Sequence, residues 1–126
     1  MIREGLYYTE DHEWLRLEGD EGVVGITHHA QEALGDITFV ELPKAGKAVK
    51  AHGPLAVIES VKAAGDIYAP VAGTVASVNA ALDQTPERVN QSPYDEGWIC
   101  RLAGVDKAGL AGLMNAAQYK AFLAKG

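Results

Sequence analysis

The stretch Val57-Ile58-Glu59-Ser60-Val61-Lys62-Ala63-Ala64-Gly65-Asp66-Ile67-Tyr68-Ala69-Pro70 contains an apolar strand, a small-residue break and a second short strand. Such a sequence folds back on itself as a hairpin, and this one carries Lys62 at its tip. Ala63, Ala64 and Gly65 are small, so another protein's backbone can approach on that side without steric conflict, and Gly65-Asp66 supplies turn chemistry. On these residues alone two readings stand. Lys62 is either a solvated lysine in a turn or an amine presented for acylation in another protein's active site.

Outward from the hairpin, most of the pattern has strand period, with short Val/Ile/Leu runs cut by Gly and Pro. The expected strands are Glu13-Trp14-Leu15-Arg16-Leu17, Gly22-Val23-Val24-Gly25-Ile26, residues 37–42, 54–60 and 73–78, and Trp98-Ile99-Cys100-Arg101-Leu102. Pro43-Lys44-Ala45-Gly46 and Pro70-Val71-Ala72-Gly73 share the spacing Pro-x-x-Gly, 27 residues apart, each ahead of a valine-bearing strand. The echo suggests two similar half-sheets folded together, with chance as the alternative. The fold class expected is mainly β: two half-sheets with short accessory helices, one of them at the C-terminus.

Three helices have physical start and stop signals. Thr27 can cap His28 to Leu34, ending at Gly35 where a left-handed residue is wanted. Thr85-Pro86-Glu87-Arg88 places a cap before a proline at the first helical position. Asn115-Ala116-Ala117-Gln118 is a capping-box variant opening a helix near 116–125, whose Tyr119, Phe122 and Leu123 share one face that the sheet should receive.

Composition narrows the function classes. The 126 residues suit one unit, and eleven Lys+Arg against seventeen Asp+Glu give a net charge of −6, so no positive field favours nucleic acid. No run approaches the roughly 20 apolar residues of a membrane helix. Met1-Ile2-Arg3-Glu4-Gly5 has neither an apolar signal core nor a transit-segment composition, so a cytoplasmic protein is expected, with a processed mitochondrial form as the alternative. His12, His28, His29 and His52 lack metal-ligand spacing, and adjacent His28 and His29 on a helix point about 100° apart, so no metal site is expected. Strand alternation puts Cys100, the one cysteine, on a face with Trp98 and Leu102 as a buried thiol. Trp14, Phe39, Tyr94 and Trp98 read as core or core-edge aromatics.

Glu59-Ser60-Val61-Lys62-Ala63 resembles the lipoyl-lysine motif, and the surrounding text resembles the glycine cleavage H-protein family. The matching segments include Tyr8-Thr9-Glu10-Asp11-His12-Glu13-Trp14, Val24-Gly25-Ile26-Thr27, Leu34-Gly35-Asp36-Ile37, Phe39-Val40-Glu41-Leu42-Pro43, Asp66-Ile67-Tyr68-Ala69-Pro70-Val71, and Val89-Asn90 through Pro93-Tyr94 to Gly97-Trp98. They span residues 7 to 98 in family order. The departures are His28-His29 where the family commonly has Asp-Tyr, and Ala64-Gly65 where Val-Ser is common.

The resemblance implies a lipoyl-type barrel-sandwich hybrid: a single carrier domain over residues 1–126, with its attachment hairpin near 54–70 and lipoic acid joined by an amide to Lys62. Glu59, Ser60, Val61 and Ala63 complete the modification motif. Glu59 is either a contact for the modifying enzyme or a solvent-facing strand residue. Val61 and Ala63 beside the lysine, in place of the Met flanks of biotin carriers, favour lipoyl over biotinyl. The implied role is a monomeric carrier that is not itself an enzyme, shuttling the aminomethyl group of glycine between glycine decarboxylase (P protein), aminomethyltransferase (T protein) and dihydrolipoamide dehydrogenase (L protein). A lipoate ligase or octanoyltransferase loads it, with no nucleic acid or membrane partner. The alternatives are a lipoyl or octanoyl relay to other lipoyl-dependent proteins, an enzyme using Cys100 and a histidine, and an unmodified structural module.

Overall fold

The two-residue connection Gly19-Asp20, with Gly19 at φ 67°, folds β2 (Glu13–Glu18) onto β3 (Glu21–Ile26) in the computed structural model, which describes residues 2–125. A glycine with positive φ at the first turn position gives the twist that antiparallel strands require. Met1 and Gly126, the ends of the expected 1–126 unit, lie outside the described residues. The register sets Trp14 opposite Gly25, where an added Cβ would lie 2.5 Å from the indole ring. Only the bare backbone leaves room for the ring. The indole N–H is shared between the carbonyls of Ile26 and Pro93, both at 3.0 Å.

Among the described residues, nine strands form two antiparallel sheets. The larger has the order β1 (Tyr7–Tyr8), β2, β3, β9 (Cys100–Ala103), β8 (Gly73–Val78), β5 (Ala48–Val49); the smaller has β4 (Ile37–Glu41), β6 (Pro54–Ser60) and β7 (Ala64–Tyr68). The architecture is mainly β and sandwich-like, not a closed barrel. The half-sheets are unequal, with six strands and three. The Pro-x-x-Gly copies lead into β5 and β8, which pair with each other (Ala48 with Thr74, Val49 with Gly73). Their glycines differ: Gly46 is left-handed at φ 91°, whereas Gly73 is an ordinary strand residue.

Alternation along β2 and β3 explains two cores. Leu15, Val24 and Ile26 point between the sheets with Ile58, Ile67, Leu82, Val89, Ile99, Cys100 and Leu102, while Trp14 and Val23 point outward to Leu6, Tyr8, Tyr94, Ala116 and Tyr119. Each fully buried large apolar side chain contributes on the order of 1.5–3 kcal/mol. The outer cluster is roofed by α3 (Ala116–Lys125), opened by reciprocal 2.8 Å bonds between Asn115 and Gln118. Tyr119 stacks on Tyr8 with ring centroids 4.5 Å apart. The sheet therefore receives the face of α3 that the spacing predicts.

Two polar links tie these layers. The buried Glu13 carboxylate accepts from the Thr9 hydroxyl at 2.6 Å and from the Tyr68 N–H of β7 at 3.1 Å, linking β2 of the larger sheet to β7 of the smaller. Burial raises its pKa against the lowering effect of those hydrogen bonds. In the second link, the Tyr119 hydroxyl lies 2.8 Å from His12 Nδ1 and 2.9 Å from Thr27 Oγ1. Thr27 in turn accepts from the Ala30 N–H and caps α1 (His28–Leu34), as predicted. His12 is left-handed at φ 69°, and burial, with His29 4.5 Å from its ring, lowers its pKa.

Several local expectations are corrected. Gly65 and Asp66 pair with Ile58 and Val57 inside β7, so the turn lies earlier, at 61–63. Cys100 and Leu102 point inward, but Trp98 precedes β9 and packs in the outer cluster, because the chain is still irregular there and Ile99 takes the inner position. The Thr85 hydroxyl donates to the Ala81 carbonyl of the preceding 3₁₀ turn and does not cap; α2 spans Arg88–Gln91, with Pro86 ahead of it. Phe39 is not core: it is 44% exposed.

Gly25→Ala drives a methyl group into the Trp14 ring, and equilibrium denaturation should show a loss of about 1–3 kcal/mol. For His12 the folded-state pKa lies below the unfolded value. Its contribution is complete above the unfolded pKa near 6.5 and falls as pH drops toward the folded value. Denaturation curves from pH 7.5 to 5 should show that slope in the wild type and a flatter one in His12→Asn, a residue that tolerates the left-handed backbone.

Candidate functional site

Val61, Lys62 and Ala63 join β6, which ends at Ser60, to β7, and the tip they form is exposed yet tightly bonded. Ser60 N–H donates to the Ala63 carbonyl at 2.8 Å, and Val61 N–H donates to the Asp36 carbonyl at 3.0 Å. The N–H groups of Lys62 and Ala63 both reach Ser60 Oγ at 3.2 Å, while that hydroxyl donates back to the Ala63 carbonyl at 3.1 Å. Every backbone donor of the tip is thus anchored. One serine side chain supplies what a regular two-residue turn would take from its main chain.

Lys62 is exposed, and its stem lies across the end of α1: a Cβ built on Gly35 would meet Lys62 Cε at 3.3 Å and Cδ at 3.7 Å. Gly35 is at φ 79°, so glycine is wanted both for the backbone and for the space above it. Asn90, on α2, holds this seat. Its Oδ1 accepts from the Ile37 N–H at 2.9 Å, and its Nδ2 donates to the Gly35 carbonyl at 2.8 Å and to Gln31 Oε1 at 3.0 Å. Residues 35–37, to which the hairpin is bonded through Asp36, are therefore clamped on both sides.

The other motif residues fall around the tip. Val61 is 67% exposed and Ala63 is exposed. Glu59 is exposed on β6 between Phe39 of β4 and Ala64 of β7. No functional role for Gly35 or Asn90 emerges from sequence reasoning. Gly35 is legible as a helix end, but nothing local announces that a lysine 27 positions later crosses it, and Asn90 is one polar residue in a short helix.

The remaining candidates separate from this site. His29 faces His12, whereas His28 turns to Gln31 and Glu32 at 3.2 Å each, as the helical angle between neighbours requires. A cleft of about 290 Å³ lined by His12, His29, Phe122, Leu123 and Lys125 lies at the start of α1, whereas Lys62 lies at its end. Among the described residues, no three His, Cys, Asp or Glu side chains could hold a metal ion together. Cys100 is fully buried, and burial pushes its thiol up to about 12, which leaves it protonated and a poor nucleophile. Among the described residues, no helix is long and apolar enough to cross a membrane.

Ser60→Ala removes the acceptor shared by two tip amides. Hydrogen exchange at Lys62 and Ala63 should accelerate by about 2- to 10-fold, the equivalent of ~0.5–1.5 kcal/mol, with the rest of the chain unchanged.

Comparison with known proteins places this geometry in context. A family model described as "Glycine cleavage H-protein" matches residues 6–126. The chain is 50% identical over 125 residues to the glycine cleavage system H protein of Leptospira biflexa, covering 99% of this chain and 95% of the relative. It is 54% identical over 122 residues to that of Thermus thermophilus, with coverage of 97% and 95%. A crystal structure of a glycine cleavage system H protein from Mycobacterium marinum superposes with a TM-score of 0.87 at 34% identity, covering 98% of this chain and 99% of that one. With matches of this length and identity, the chain belongs to the glycine cleavage H-protein family.

Proposed function

We propose that this chain is a single carrier domain of the glycine cleavage system, bearing lipoic acid in amide linkage on Lys62. On this reading it is a substrate of partner enzymes: a lipoate ligase or octanoyltransferase that loads it, then the glycine decarboxylase, aminomethyltransferase and dihydrolipoamide dehydrogenase it visits in turn. When bound, the lipoyl group supplies a dithiolane able to carry an aminomethyl unit and to cycle by thiol–disulfide exchange. Everything else falls to the protein's own residues.

The observation that carries the reading is the contrast between a free side chain and a fixed backbone at Lys62. The amine has no ion-pair partner among the described residues, while each tip N–H is bonded. A modifying enzyme meets a preorganised loop, so little ordering entropy is lost on docking. Gly35 gives the lysine stem a track along the end of α1, and Asn90 keeps that track in register with the hairpin. Acylation removes one positive charge from an acidic chain. The tether then raises the local concentration of the group in each docked complex, so partner affinity can stay weak and exchange fast.

Intact mass of the chain purified from its native host should show one lipoyl amide, mapped by peptide analysis to Lys62. Lys62→Arg should lack the increment and reduce glycine–bicarbonate exchange by the decarboxylase to background. An unmodified wild-type chain in a host with active ligase would remove the reading.

A further inference from the structure

The outer face of the three-stranded sheet bears an uncommon pattern. Cross-strand pairing sets Phe39, Glu59 and Ala64 in one row and Glu41, Val57 and Asp66 in the next. Apolar and acidic side chains alternate in both directions, as on a checkerboard. All six are exposed except the half-buried Val57. Phe39, at 44%, and Val61, at 67%, are the exposed large hydrophobic residues among those described, and both belong to this end of the sheet. None of the three carboxylates makes an ion pair with a described residue. From Glu59 in the first row the chain runs on through Ser60 and Val61 to Lys62.

We infer that this face is the docking surface through which enzymes acting on Lys62 engage the chain, and that those partners present an apolar socket for Phe39 ringed by Arg or Lys. The inference rests on the carrier reading and extends it to the chemistry of the partner surface. An exposed aromatic ring flanked by carboxylates is the form a binding anchor takes: the ring supplies contact area once water is excluded, and the charges select a basic rim. The chain's own charge distribution supports the same polarity. From Leu42 to Ile58 no acidic residue occurs, while Lys44, Lys47 and Lys50 do. These lysines precede β6, whose seven residues at ~3.3 Å each place them roughly 20 Å from the hairpin tip. A basic partner face therefore attracts the hairpin end and repels the far end, turning Lys62 toward the entrance during approach.

The test uses the full chain as the variable substrate of a purified lipoate ligase, with Ser77→Ala on the other sheet as a control. Phe39→Ser should raise KM by at least about tenfold with kcat unchanged. Glu41→Lys, which disturbs no buried contact, should raise KM at low salt and lose that effect at high salt. It keeps the test open if Phe39→Ser fails to fold by thermal unfolding. Wild-type KM in both variants, with the wild type still modified at Lys62, would overturn the docking surface and leave the carrier reading intact. Failure of the wild type to be modified would overturn both. A concentration-dependent dimer in sedimentation that Phe39→Ser abolishes would assign the face to a second copy of the chain and overturn the inference.

Discussion

The buried carboxylate of Glu13 is the constraint on which the arrangement of the two sheets turns. An ionised group removed from water costs several kcal/mol unless donors replace its hydration. Here the donors come from different places: a hydroxyl on the approach to β2 and a main-chain N–H of β7. The charge is satisfied only when the small sheet sits at one distance from the large one. Its raised pKa records that the compensation is incomplete, so Glu13 is retained at some cost in stability. What it secures is the placement of β7, and with it the hairpin.

From there the positioning of Lys62 can be followed element by element. The outer core holds Tyr119, whose hydroxyl meets the Thr27 cap of α1; α1 ends at Gly35; and Gly35 both carries the lysine stem and is held by Asn90. The Tyr119–Thr27 and Asn90–Gly35 steps are short hydrogen bonds, and the step from Gly35 to Lys62 is a contact with the lysine stem's carbons. The backbone beneath Lys62 is thereby held by hydrogen bonds, and its amine is exposed. On the proposed reading of Lys62, a stiff base confines the remaining sampling to the arm.

Sequence patterning revealed the parts of this structure that are local. β6 and β8 have the predicted limits, and α1 and α3 open as predicted, because alternation, a threonine cap and a reciprocal Asn115–Gln118 pair act within a few residues. The failures share a different cause. β1 and β5 are two residues long and defined by partners elsewhere in the chain: nothing in Tyr7-Tyr8 marks β1, and only the Pro-x-x-Gly ahead of it hints at β5. Trp98 leaves the inner face because the strand begins later than alternation alone implies. Phe39 looks like core to any hydrophobicity argument, but the register shift between Ile37 and Phe39 breaks the alternation, so that Ile37 and Val40 point inward and Phe39 outward. At the candidate site the residue types around Lys62 were legible, but the seat at Gly35 and the clamp from Asn90 join positions 27 and 55 residues apart through tertiary contact.

The two-residue strands at both margins of the large sheet bear on how the molecule behaves in crowded solution. An unpaired strand edge is a template for another chain, and its reach grows with its length. At one margin Tyr8 already exchanges main-chain hydrogen bonds with Met114, and at the other β5 is flanked by the charged, exposed Lys47 and Lys50. Neither border offers the run of free peptide groups that sheet-to-sheet aggregation requires. At the margins of the large sheet, brevity, an existing main-chain partner and flanking lysines each limit pairing with a second chain.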